Sequence, residues 1–419
     1  MRHVFPYPDI EPVEIPDGNL GGVYTIAEPG GSGRSDRALV AEALARPIES
    51  PRLREKVGAG TRVAIAVDDS SRSTRTDLML PLVLEELGQA GVADGDIRIY
   101  IALGTHRQMS PREIEGKYTP EAAARYRIVN PDWRDAGSYL SIGRSAEGFP
   151  IKIHREIVEA DFVIGVGQTI PHMIAGFGGG GKIINPGCAD AETIGEMHWM
   201  CRRVPEGELF AVRDNAVRSL IDEMALKAGL RFIVNEVPAG GGRLAGAFAG
   251  HPVEAHRAAC AFSRSTCEVR IRDQAEIVLS DAYPADLDFW QALKGLNAAY
   301  GAVRDGGTVI LVTPCPEGTS AQHPELTEVG YVPVEKTEEL VHASRLDKAV
   351  AANLLLGRRL LDRAEAILVA PGISQADTTA MGFMWAPDPQ TALEIALARR
   401  GPRARVNVLH KAAKMVCVS

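Results

Sequence analysis

Four consecutive glycines followed by a lysine, Gly178-Gly179-Gly180-Gly181-Lys182, sit inside the segment QTIPHMIAGFGGGGKIINPG. Residues without Cβ leave backbone N–H groups unshielded and permit positive φ. Such a loop can wrap a phosphate or let a bulky cofactor approach the main chain. The pattern is not a P-loop, because Ile183 stands where a hydroxyl residue would hold magnesium. The competing reading is a flexible turn carrying a surface lysine. The preceding apolar strand and Pro171-His172 weigh against it.

His106, in GTHR, and His172 each follow an apolar run. A lone histidine at a strand end is often only a satisfied polar residue. Two of them beside a glycine loop suit an acid/base pair, since imidazole titrates near neutrality and a facing pair can exchange roles between two enantiomers. His198, in MHWMC, is a candidate metal ligand, with a half-buried helical histidine an equal alternative. Asp69 and Arg72, in DDSSRST, suit a ribose hydroxyl and a phosphate or carboxylate; a capping turn with a surface ion pair competes evenly. Gln291 and Lys294 share one helix face by their spacing and suit a small carboxylate. From spacing alone, a solvated face is the better reading of that pair.

These residues need elements to hold them. Short apolar runs at 62–67, 97–103, 161–166, 276–279, 308–312, 366–369 and 405–409 read as buried parallel strands. Helical segments alternate with them, from Pro111, at 191–200 (with His198 in its last turns), 289–303, within 340–356 and at 390–399. Thr74 or Thr76 is the candidate cap of the helix after the first strand. The first sixty residues, rich in Gly and Pro, read as an irregular or β-rich start. The expected fold class is α/β: two domains with mostly parallel sheets and the active site in the cleft between them. The expected division is 1–268 for a cofactor-binding domain and 269–419 for a substrate-side domain, with the last strand a candidate to return to the first. The polar clusters fall beyond the carboxyl ends of strands, where open α/β sheets bind ligands.

The formal charge of −8 is spread along the chain, so no basic stripe suggests nucleic acid. Six scattered cysteines without a C-x-x-C pair argue for a reducing compartment and against a zinc knuckle. No stretch is apolar over the length of a membrane span, and the N-terminus lacks the apolar run of a signal peptide. The expectation is a cytoplasmic protein with no membrane or nucleic-acid partner.

As an ordered set, DDSSRST, GTHR, PHMIAGFGGGGKIINPG, EMHWM and YPADLDFWQALKGL, spanning residues 61–300, resemble the nickel-pincer lactate racemase family. The resemblance implies a racemase or epimerase of 2-hydroxy acids. It implies a dithio-modified pyridinium mononucleotide bound covalently to Lys182, and nickel held by that cofactor and by His198. Asp69, Arg72 and the glycines Gly178, Gly179 and Gly180 would bind the nucleotide. His106 and His172 would be the acid/base groups of a proton-coupled hydride transfer. Gln291 and Lys294 would orient the substrate carboxylate. Proteins that synthesise the cofactor would be partners. Gly179 departs from the family, where serine is common. Two other function classes compete: a zinc-type hydrolase built on His106, His172 and His198, and a non-catalytic nucleotide-binding protein.

Overall fold

The computed structural model describes residues 1–26 and 33–418. The chain begins with a short ribbon, β1 (Arg2–His3) antiparallel to β2 (Val13–Glu14), followed by β3 (Leu20–Thr25). Two compact units then emerge, Glu28–Thr266 and Met1–Ala27 with Cys267–Ser419.

The unit Glu28–Thr266 is built on a six-stranded sheet. Its strands are β4 (Val63–Asp68), β5 (Ile97–Ala102), β6 (Arg127–Val129), and, after a separate hairpin of β7 (Tyr139–Arg144) and β8 (Pro150–His154), β9 (Phe162–Gln168). A second hairpin, β10 (Pro171–His172) with β11 (Gly176–Phe177), precedes β12 (Leu230–Pro238) and β13 (Leu244–Gly250). The order is β13-β12-β9-β4-β5-β6, parallel except for β13. Every residue of β9, and all of β4 before Asp68, is buried. That explains the continuous apolar runs, because helices or loops cover both sheet faces. The chain moves outward from β4 to β6, then returns to place β9 on the other side of β4. The carboxyl ends of β4 and β9 therefore form a topological switch point. The Gln168 amide donates to Asp68 Oδ2 across it, at 3.1 Å.

The other unit holds β14 (Glu268–Arg270), β15 (Ala275–Asp281), β16 (Val303–Val312), β17 (Glu365–Val369), β18 (Met384–Trp385), β19 (Val406–His410) and β20 (Val416–Val418). Its six-stranded sheet runs β18-β17-β16-β15-β19-β3, all parallel. Here the switch point lies between β15 and β19.

The α/β class and parallel sheets agree with the sequence reading. The division of the chain differs from the expected 1–268 and 269–419. The N-terminal segment completes the C-terminal unit's sheet through β3 beside β19, while β20 pairs with β14 in the same unit. So β3, near the start of the chain, and not the last strand, is the one that joins the other half's sheet. The sequence reading also leaves out β12 and the helix Asp36–Ala45, and runs the helix Phe289–Ala299 four residues too far, into β16. Neither Thr74 nor Thr76 caps the helix Thr76–Gln89: its N-cap is Arg75, and the Thr74 hydroxyl instead bonds Asp68 Oδ2 at 2.6 Å.

Candidate active site

The segment after β4 turns back over the switch point. The helix Pro111–Tyr118 fastens it: Lys117 Nζ donates to the carbonyls of Arg72 (2.6 Å) and Thr74 (2.8 Å), and the Tyr118 hydroxyl donates to Asp68 O (2.7 Å). Asp69 is thereby held in the interior, 4% exposed. Its Oδ1 accepts from the Ser71 hydroxyl at 2.6 Å, and its Oδ2 lies 2.7 Å from His106 Nδ1. Burial alone would raise the Asp69 carboxyl, but His106, Arg72 and Ser71 outweigh it and hold it well below the usual carboxylate range. An ionised Asp69 at that distance makes His106 Nδ1 a proton donor. The lone pair of neutral His106 then falls on Nε2. Both Asp69 oxygens are thus engaged within the protein, so the ribose contact expected of this residue would have to share them.

His172, half-buried, closes the β10–β11 hairpin. Its Nδ1 accepts the backbone N–H of Ile174 (3.1 Å) and Ala175 (3.2 Å). The proton of neutral His172 is therefore on Nε2. The two histidines are set in opposite tautomers: His106 offers a lone pair and His172 an N–H.

The glycine run follows this hairpin and packs inward. A Cβ on Gly179 (φ +77°) would lie 2.7 Å from Thr169 Oγ1 and 2.8 Å from Asn235 Oδ1; one on Gly180 (φ +57°) would lie 2.6 Å from His256 Cγ. Gly181 is as tight, against Asp222 Oδ1 at 2.8 Å. The amides of Gly178 and Gly180 donate to Ile170 O (2.7 Å) and Asn235 Oδ1 (2.8 Å). The expectation of unshielded amides at these two glycines is therefore corrected. Glycine is required here because the loop is pressed against β12 and its neighbours. Sequence reasoning missed the residues that press it: Arg218, which donates to the carbonyls of Ala175, Phe177 and Gly179, and His256, whose Nε2–H donates to Gly178 O at 2.8 Å. Both come from distant helices, Ala216–Lys227 and Glu254–Cys267, and carry no motif.

The outcome of that packing is the placement of Lys182, in a 3-10 turn over 180–183. Part of its surface stays open, yet protein atoms crowd its amine. Burial, with Arg72 and Arg218 nearby, brings its pKa down to about 7. A lysine with that value is substantially unprotonated at neutral pH and can act as a nucleophile. Arg72, Asp69, His106 and Lys182 are thus gathered at one switch point.

His198 comes from another element, the helix Ala191–Trp199, capped by Asp190 accepting from Thr193 N. Its Nδ1 lies 2.8 Å from Ile194 O. Donation to that carbonyl leaves the lone pair on Nε2, the tautomer of a metal-binding histidine oriented by a backbone acceptor. Among the described residues, the three-ligand group whose atoms lie close enough to share a metal does not include His106, His172 or His198. Gln291 and Lys294 belong to the other unit, on the helix Phe289–Ala299. The Lys294 ammonium donates to Gln291 Oε1 at 2.5 Å, and Gln291 is 8% exposed. The pair is therefore a built one, not a solvated face. Among the described residues no helix is long and apolar enough to cross a membrane.

Comparison with known proteins identifies the family and agrees with the fold. A family model described as the lactate racemase N-terminal domain matches residues 9–208, and one described as the lactate racemase C-terminal domain matches residues 271–417. The chain is 29% identical over 312 residues to a lactate racemase of Thermoanaerobacterium thermosaccharolyticum, covering 73% of this chain and 72% of that one. It is 29% identical over 383 residues to a lactate racemase of Lactiplantibacillus plantarum, covering 90% and 89%. The solved lactate racemase apoprotein from T. thermosaccharolyticum superposes with a TM-score of 0.87 at 26% identity over the full length of both chains. A crystal structure of a protein from Thermotoga maritima shares the fold, with a TM-score of 0.73 at 20% identity, covering 91% and 97%. With both of its domain models matched and its fold shared along the whole length, this chain belongs to the lactate racemase family.

Proposed function

We propose that this protein racemises or epimerises a small 2-hydroxy acid of the lactate type. The observation that carries the reading is the Asp69–His106 pair beside the depressed amine of Lys182 at the switch point of one sheet. The residues also fit the nickel-bearing pyridinium nucleotide that the family resemblance implies. Lys182 has the nucleophilic amine for a covalent link, Arg72 the charge for a phosphate, and His198 the tautomer for one metal bond. When bound, that group would supply an electrophilic acceptor for the hydride at Cα.

The protein's own residues then do the proton work. His106 Nε2 takes the proton of the substrate hydroxyl, and Asp69 stabilises the imidazolium that results. His172, held as an Nε2–H donor, serves the opposite face. To give a proton from Nε2 as imidazolium, or to take one there in the reverse direction, it must carry its other proton on Nδ1 and so release the amides of Ile174 and Ala175, because a protonated Nδ1 would face two N–H donors. Lys294, already paired with Gln291, binds the carboxylate. Removing a Cα proton outright is beyond a neutral imidazole, whereas the hydroxyl proton is within its reach.

The test uses protein purified from a host that makes the cofactor, incubated with single enantiomers of lactate, malate and longer 2-hydroxy acids carrying deuterium at Cα. The reading expects one of them to racemise with the label retained in ordinary water, with both directions lost in His106→Ala and in His172→Ala. Extensive exchange of the label with solvent would refute hydride transfer, and no racemisation of any such acid would refute the substrate class.

A further inference from the structure

We propose a second metal site, outside the one built on Lys182 and His198, in which His3, Asp281 and His410 bind a divalent first-row transition metal such as Zn²⁺. The three residues lie in the unit Met1–Ala27 with Cys267–Ser419. His3 is on β1, Asp281 ends β15 and His410 ends β19. Since β15 and β19 flank that unit's switch point, the cluster occupies the place where such sheets take ligands.

Three observations point to an ion. One ligand atom from each residue lies within 4.8 Å of the other two. A nitrogen on each histidine, His3 Nε2 and His410 Nδ1, is buried with no hydrogen-bond partner, and His3 is only 7% exposed. Buried polar atoms are rarely left so, and two in one cluster call for a shared partner. Finally, His410 Nδ1 stands 3.5 Å from Asp281 Oδ2. That is long for a hydrogen bond. It suits two atoms bound at about 2.0–2.2 Å to one tetrahedral ion, which places them roughly 3.3–3.5 Å apart.

The surroundings support the same reading. Asp281 is fully buried, and its carboxylate is aimed by the amides of Tyr283 (3.0 Å, to Oδ1) and Lys411 (2.9 Å, to Oδ2), as outer-shell groups aim a ligand. Three protein ligands of the N, N, O type leave a fourth position for water, and His410 keeps 26% of its side chain exposed. The ion would clamp the N-terminal ribbon to the sheet whose edge β3 completes. This is a structural role, independent of the proposed racemase chemistry.

The test uses the full chain, made in a host without the nickel nucleotide, stripped of metal and titrated with Zn²⁺. Expected is one Zn²⁺ per chain that His198→Ala retains, with binding weakened at least about 100-fold in His3→Ala and in His410→Ala. Zn²⁺ should also raise the melting temperature of the wild type and not of those two variants. No Zn²⁺ bound to wild type, equal binding by the His3 and His410 variants, or loss of the ion only in His198→Ala would overturn the proposal. Should the variants misfold, a wild-type crystal soaked in Zn²⁺ decides it: an anomalous peak beside Asp281 supports the site, and none at saturation overturns it.

Discussion

Replacing Lys182 by methionine should stabilise the cofactor-free chain, and the size of the effect follows from its surroundings. The folded amine has a pKa of about 7 against 10.5 for an ordinary lysine. Between those values the unfolded chain binds more protons at this position than the native one. Stability therefore rises with pH across that window, and it is lowest, by a constant amount, below pH 7. The shift corresponds to at most about 5 kcal/mol at roughly 1.4 kcal/mol per pH unit. Partial exposure of Lys182 reduces this, and about 2 kcal/mol is the working figure. Methionine keeps the length and fills the space without a charge to bury. Urea unfolding of both proteins should show Lys182→Met more stable by about 2 kcal/mol at pH 6, with the gap closing as the pH approaches 10. In a unit of this size the same difference moves the melting temperature by about 4–8 °C. Every other group titrates in both proteins, so the difference isolates this amine. Equal stability at pH 6, or a gap that widens with pH, would show that Lys182 is not desolvated and that its chemistry has another origin.

Asp69→Asn should keep the fold and lower kcat/KM for racemisation by about ten- to a hundredfold, since it removes a charge-assisted bond worth about 1.5–3 kcal/mol from His106; chiral chromatography of the products reads it, and unchanged kinetics would disconnect Asp69 from the reaction. Gly179→Ala should destabilise the fold by about 1–3 kcal/mol and so lower the melting temperature measurably, because φ is +77° and its Cβ would meet Thr169 and Asn235. Lys294→Ala should cost at least about tenfold in turnover while leaving the metal content and the melting temperature near wild type; a loss of stability in place of activity would assign the Lys294–Gln291 bond to packing.

Much of the fold was legible because period and composition are local properties. Unbroken apolar runs such as 63–67 and 162–166 can be buried on both faces only in a covered parallel sheet, and the alternation with helices follows from the need for crossovers. β12 escaped because Asn235 and Glu236 interrupt an otherwise apolar run, and their burial has meaning only once Gly180 N and Arg75 N are seen to bond them. Residue types also named Lys182, His106 and His172 as chemistry, and the glycines as a constraint on the backbone.

What the sequence by itself determined is the alphabet of the site and the strands that end beside it. Only tertiary structure decided what those residues are. Asp69 became the partner of His106 through proximity across two strands 37 residues apart in sequence. The glycines became packing residues because Arg218 and His256 arrive from helices that share no motif with them. His3 joined Asp281 and His410 across nearly the whole chain because β3 crosses to the C-terminal sheet. Protonation, tautomer and metal affinity depend on the distance and burial of groups remote in sequence, and those exist only after folding.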